Sequence, residues 1–192
     1  MTGVQTCALP IYNVFIVRED ADLDYAVTGA MFGKFLHQGQ ICMSINRILV
    51  HQAVYQTFAD KFTAQVAGIK SGNPLQPDVL VGPLIEERQV TRILKSIEAS
   101  KQMGAVISIG GNAVGTMMEP TVIVNATNDM PISCDEIFGP VAVIIPFADD
   151  EEAIRLANDS ESGLSGSIHT RDLDKGVRMA LQIETEIGRA HV

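Results

Sequence analysis

Short apolar runs without alternation, separated by longer stretches of helical spacing, constrain this chain more than any other feature. Val14-Phe15-Ile16-Val17, Arg47-Ile48-Leu49-Val50-His51 and Val141-Ala142-Val143-Ile144-Ile145 contain almost no polar interruption. A strand with one face in water alternates polar and apolar residues, whereas an unbroken run of this length is a strand covered on both faces. Ala105-Val106-Ile107-Ser108-Ile109, Pro120-Thr121-Val122-Ile123-Val124 and residues 164–169 read as three further strands. Between them, Leu23, Ala26, Val27, Ala30, Met31 and Leu36 recur at helical spacing, as do Val54, Phe58, Phe62, Val66 and Ile69. Helices are likewise expected over residues 86–103, from Asp149 or Asp150 through Leu156, and over residues 172–183. Asp20 or Asp22 is placed to cap the first. Gly72-Asn73-Pro74 stops the second, and a surface loop runs on through Gly82-Pro83. Strands alternating with helices predict an α/β fold with a largely parallel, helix-covered sheet.

Charge and composition narrow the function classes. The net charge of −9 argues against a nucleic-acid partner or an anionic membrane surface. No apolar run approaches the roughly 20 residues of a membrane helix. Hydrophobic content of 46% with 19% charged residues suits a globular domain. Cys42 and Cys134, with Cys7 near the start, follow no disulfide framework, which predicts a reducing, cytoplasmic setting. His37, His51 and His169 stand at no metal-ligand spacing, so no metal site is expected. Cys134 reads as a passive thiol, and Asp149-Asp150-Glu151-Glu152 as a helix start favoured by the dipole.

Two stretches carry chemistry. Phe35-Leu36-His37-Gln38-Gly39-Gln40-Ile41-Cys42-Met43-Ser44-Ile45-Asn46-Arg47 puts a thiol on a glycine-bearing loop between helix and strand. A thiol reacts as its thiolate, and close approach of backbone N–H groups is one way to favour that form. Taken by composition alone, a cysteine between Ile41 and Met43 is a packed core residue. The second stretch, Glu136-Ile137-Phe138-Gly139-Pro140-Val141, sets a carboxylate and an aromatic ring beside a Gly-Pro break. On its own, Asp135-Glu136 is a solvated turn before a strand. No glycine-rich phosphate loop accompanies either stretch.

In order and spacing, the two stretches resemble the paired signatures of the aldehyde dehydrogenase superfamily, over about residues 12–185. The resemblance implies the catalytic domain of such an enzyme, with Cys42 as the nucleophile. The thiolate would add to an aldehyde carbonyl, giving a thiohemiacetal whose oxyanion is held by the Cys42 N–H and an upstream Asn. Hydride loss would leave a thioester for a Glu-activated water. Glu136 would accept hydrogen bonds from the nicotinamide ribose of NAD or NADP, with Phe138 packing beside the ring. That Glu base would fall near Ala8, and the Asn and the dinucleotide-binding half would precede it, so the cofactor's binding half is expected to be absent here. Gln40-Ile41-Cys42-Met43-Ser44-Ile45-Asn46-Arg47 and Thr127-Asn128-Asp129-Met130 resemble the branch acting on benzaldehyde or vanillin. The intact enzyme is expected to be a homo-oligomer taking a small aldehyde. A CoA-acylating relative, a non-catalytic α/β binding module and a cysteine hydrolase are the other readings.

Residues 3–11 and 186–192 can be back-translated into a string and its reverse complement, both resembling a short-read sequencing adapter. The expected organisation is a non-native tail at 1–11, a catalytic-domain fragment at 12–185 truncated at both ends, and a second tail at 186–192. Cys42 and Glu136 are expected to converge on one cleft at the strand ends, where open parallel sheets place ligands.

Overall fold

A computed structural model describes residues 12–160 and 163–185, together with the backbone of 187–191. In chain order the elements are β1 (Asn13–Val17), α1 (Leu23–Phe35), β2 (Arg47–His51), α2 (Tyr55–Val66), α3 (Glu87–Gln102) and β3 (Val106–Ile109). There follow β4 (Ala113–Val114), β5 (Met117–Met118), β6 (Thr121–Val124), α4 (Pro131–Cys134), β7 (Val141–Phe147), α5 (Asp150–Asn158), β8 (Ser165–His169), α6 (Leu173–Ala180) and β9 (Ile187–His191). The main sheet has the order β3-β6-β7-β2-β1-β8-β9. All its pairings are parallel except that of β3, which runs antiparallel to β6. The predicted α/β class and parallel sheet are therefore present.

Helices cover both faces, which is why the strands carry no alternation. Along β1, Val14 and Ile16 join a core with Val90, Ile93 and Ile97 of α3, Leu156 of α5 and Met179 of α6. Phe15 and Val17 point the other way, into a core with Val27 and Ala30 of α1 and Phe58 and Phe62 of α2. Adjacent residues on a strand face opposite sides of the sheet, so an apolar run builds both cores at once.

The caps follow the acidic residues. Asp22, at the head of α1, accepts from the N–H groups of Asp24 and Tyr25 at 3.1 Å each. Asp149 does the same for α5, accepting from Glu152 N–H at 2.9 Å. Asp20 serves a different helix: it accepts from the N–H groups of Arg171 and Asp172 ahead of α6. The β4–β5 hairpin and α4 are additions to the sequence reading. Residues 1–11 of the expected tails lie outside the described residues, and β9, within 186–192, extends the sheet beside β8.

Candidate active site

The Cys42 segment departs from helix through strained backbone. α1 ends at Phe35, and the chain then passes through His37 (φ 50), Gln38 (φ 59) and Gly39 (φ 70) in succession. Left-handed backbone costs a residue with a Cβ roughly 1–2 kcal/mol. The bend is stabilised by Gln40 N–H donating to the His37 carbonyl at 2.8 Å. Only glycine fits at 39, because a Cβ there would collide with the Gly139 carbonyl. Beyond it, Ser44 N–H donates to the Ile41 carbonyl at 2.9 Å, closing a turn with exposed Cys42 and Met43 at its corner.

Buried polar side chains hold this turn from beneath. Asn13, 2% exposed at the start of β1, donates from Nδ2 to the carbonyls of Cys42 (2.6 Å) and Ser44 (2.8 Å). Its Oδ1 accepts from Ser165 Oγ at 2.6 Å. Among the described residues, the N–H groups of Cys42 and Met43 donate to no protein acceptor. Lys34 Nζ, buried in α1, donates to the Ile45 carbonyl at 2.9 Å, and Ile45 N–H donates to the Gly33 carbonyl. Burial pulls the Lys34 ammonium down to about 7, against the opposing influence of the Glu136 charge.

Cys42 borders a cavity of about 660 Å³ whose walls are chiefly apolar. Phe15, Tyr25, Phe32, Met43 and Ile45 supply most of that lining, with Ser165 and His169 among the polar residues. Phe15 stacks on His169 at 4.1 Å between ring centroids. Such a space suits a flat apolar group more than a charged one.

Glu136 and Phe138 border a second, more open cavity with Gln40, Gln89 and Arg92. Arg92 Nη2 donates to the carbonyls of Glu136 (2.8 Å) and Ile137 (2.6 Å), and Gln89 Nε2 donates to that of Ile137 (3.2 Å). These bonds fix the loop backbone and leave the Glu136 carboxylate with its acceptor capacity unspent among the described residues. Burial raises the Glu136 pKa, while the Arg92 and Lys34 charges oppose the rise. Phe138 itself is left-handed, at φ 49. A half-buried, acceptor-only carboxylate beside an aromatic ring fits a ribose diol next to a planar heterocycle.

The two stretches meet backbone to backbone at Gly39 and Gly139; Cys42 lines the first cavity and Glu136 the second. Both loops also lie at the amino ends of their strands, β2 and β7, which are neighbours in the sheet. The rule behind the sequence expectation concerns carboxyl ends, and here the lead-in segments, not the exits, carry the site. Cys134 is exposed, with its thiol pKa raised by burial and by the nearby acidic groups. Among the described residues, no cluster of three or more His, Cys, Asp or Glu could hold a metal, and no helix is long and apolar enough to cross a membrane.

Asn13, Ser165, Lys34, Gln89 and Arg92 escaped the sequence reading. Only Lys34 left a trace there: it follows Ala30 by one helical turn, on the buried face of α1. Asn13 and Ser165 become site residues through register, which pairs them across β1 and β8, and Gln89 and Arg92 through the packing of α3 against the Glu136 loop.

Comparison with known proteins extends the geometry. The profile of the "Aldehyde dehydrogenase family" matches residues 6–192. The chain is 49% identical to AldY of Bacillus subtilis over 94% of its length. It is 44% identical, again over 94%, to a benzaldehyde dehydrogenase of Pseudomonas putida whose name specifies NAD+. In each case it spans about 37% of the curated relative. A crystal structure of succinate-semialdehyde dehydrogenase from Burkholderia pseudomallei superposes with a TM-score of 0.92 at 38% identity, over 94% of this chain and 38% of that one.

Proposed function

The chain belongs to the aldehyde dehydrogenase family, and from that premise we propose that it carries the nucleophile and the nicotinamide-side contacts of an enzyme oxidising an aromatic aldehyde to its acid. The observation carrying this reading is the junction at Gly39 and Gly139, which sets the exposed Cys42 turn against the Glu136–Phe138 loop. Cys42 Sγ, as thiolate, bonds to the aldehyde carbon, and the carbonyl π pair moves to oxygen. The Cys42 and Met43 N–H groups, without acceptors among the described residues, are available to that oxyanion. The oxyanion pair re-forms the carbonyl as hydride leaves carbon, and a thioester remains on Cys42. NAD or NADP, when bound, supplies the acceptor for that hydride. Glu136 would hold the ribose hydroxyls and Phe138 the face of the ring. Water then adds to the thioester, the C–S bond breaks, and carboxylate and thiolate separate as the water's two protons pass to solvent.

The aromatic preference rests on the Phe15, Tyr25 and Phe32 walls beside Cys42 and on the benzaldehyde-oxidising relative. We further propose that residues 12–185 are the family-derived part and that the intact enzyme is a cytoplasmic homo-oligomer. The test is made in a full-length enzyme containing this segment: Cys42→Ala should abolish NAD+ reduction with benzaldehyde while leaving cofactor binding nearly unchanged. Glu136→Gln should chiefly weaken cofactor binding and hydride transfer. Turnover by the Cys42→Ala enzyme would overturn the assignment.

A further inference from the structure

We propose that Asn13, braced by Ser165, is a positioning residue for the nucleophilic turn. This proposal rests on the reading of Cys42 as the nucleophile. Both protons of one amide group are committed to the turn, one to the Cys42 carbonyl at 2.6 Å and one to the Ser44 carbonyl at 2.8 Å. The oxygen of the same amide takes the Ser165 hydroxyl at 2.6 Å, so the side chain has one rotamer and one flip that satisfy all three bonds. The backbone of Asn13 adds two more ties: its N–H donates to Asn46 Oδ1 at 3.1 Å, and its carbonyl accepts from Asn46 N–H at 2.9 Å.

The consequence for chemistry comes from peptide geometry. A trans peptide points its carbonyl and the following N–H in opposite directions. Holding the Cys42 carbonyl down onto Asn13 therefore turns the Met43 N–H away from the sheet, toward the exposed side of the turn. Hydrogen bonding to that carbonyl also polarises the peptide and makes the N–H a better donor. Asn13 bonds to the peptides on either side of the thiol and acts by fixing them. The brace comes from the opposite end of the sequence, since Asn13 and Ser165 stand 152 residues apart and meet only through the β1–β8 register.

The test uses the whole chain carrying Cys7→Ser and labelled with 15N-cysteine, so that Cys42 and Cys134 give the two amide signals, together with iodoacetamide rates at each thiol by peptide mass spectrometry. Asn13→Ala should shift the Cys42 amide signal and slow Cys42 alkylation by about tenfold, within the range that misplacing a reacting group costs, leaving Cys134 unchanged. Ser165→Ala should do the same to a smaller degree, and Ser165→Thr, which keeps the hydroxyl, should restore both readouts. Should Asn13→Ala fail to fold, the Ser165 pair still decides. An unmoved Cys42 signal and rate in Ser165→Ala would overturn the proposal, as would equal changes at Cys42 and Cys134, the mark of a general loss of stability. Failure of the nucleophile reading looks different: Cys42 in the unsubstituted chain would then alkylate no faster than Cys134.

Discussion

At the scale of single residues, the site depends on atoms whose roles oppose their usual preferences. Gly39 is left-handed and abuts the Gly139 carbonyl, so Gly39→Ala combines a backbone cost of about 1–2 kcal/mol with a forced separation of the two loops. Lower thermal stability and slower Cys42 alkylation, with Cys134 unaffected, are the expected result. Lys34 has its pKa lowered by burial from 10.5 to about 7. The unfolded chain keeps this proton up to the ordinary lysine value, so between about pH 7 and 10.5 the unfolded state binds more protons. Stability from this group therefore rises with pH across that window, by at most about 1.4 kcal/mol per pH unit. Lys34→Met should flatten that slope in urea titrations, and an unchanged slope would show that the ammonium is not buried as described. Cys42, Glu136 and Phe138 stood out as candidates in the sequence because they sit inside contiguous stretches. Asn13 and Ser165 were not, because each is unremarkable until the strands are aligned.

At the scale of elements, the chain reads clearly where periodicity is long. α1, α2, α3 and the apolar strands follow from spacing alone. The β4–β5 hairpin does not, since its strands are two residues each and carry no period. Strand direction is equally hidden, and β3 turned out antiparallel because a short hairpin, not a helix, links it to β6. One side chain does much to join elements. Arg47, 1% exposed at the start of β2, donates to the Leu156 carbonyl at 2.7 Å, the Ala157 carbonyl at 3.1 Å and Asn128 Oδ1 at 2.6 Å. It thus places a cation on the last carbonyls of α5, where the helix dipole favours one, and lies over the Tyr12 ring at 4.8 Å. Arg47→Met should leave the Ala157 carbonyl without its side-chain partner and the Leu156 carbonyl with only the long bond from Asn128, and cost about 2–4 kcal/mol. Denaturant unfolding measures the loss, and amide exchange should rise first in the last turn of α5.

At the scale of the whole molecule, the residues of the candidate site share one end of the sheet. Asn13 begins β1, Ser165 begins β8, and the Cys42 and Glu136 loops lead into β2 and β7, so neighbouring strands deliver the site from their amino ends. The sequence contains no glycine-rich phosphate loop, and position 8, where the resemblance would put the general base, is Ala8. Expressed alone with NAD+ or NADP+ and benzaldehyde, the chain is therefore expected to produce no reduced cofactor above a Cys42→Ala control, while its Cys42 still alkylates. Aldehyde-dependent reduction would contradict that expectation. The brace between Asn13 and Ser165 has a further meaning in time. Its two ends are 152 residues apart, and contacts so distant in sequence form late, after helices and local turns. During refolding the thiol should therefore acquire its native reactivity after most of the helical signal has returned, making Cys42 a clock for the closure of the sheet.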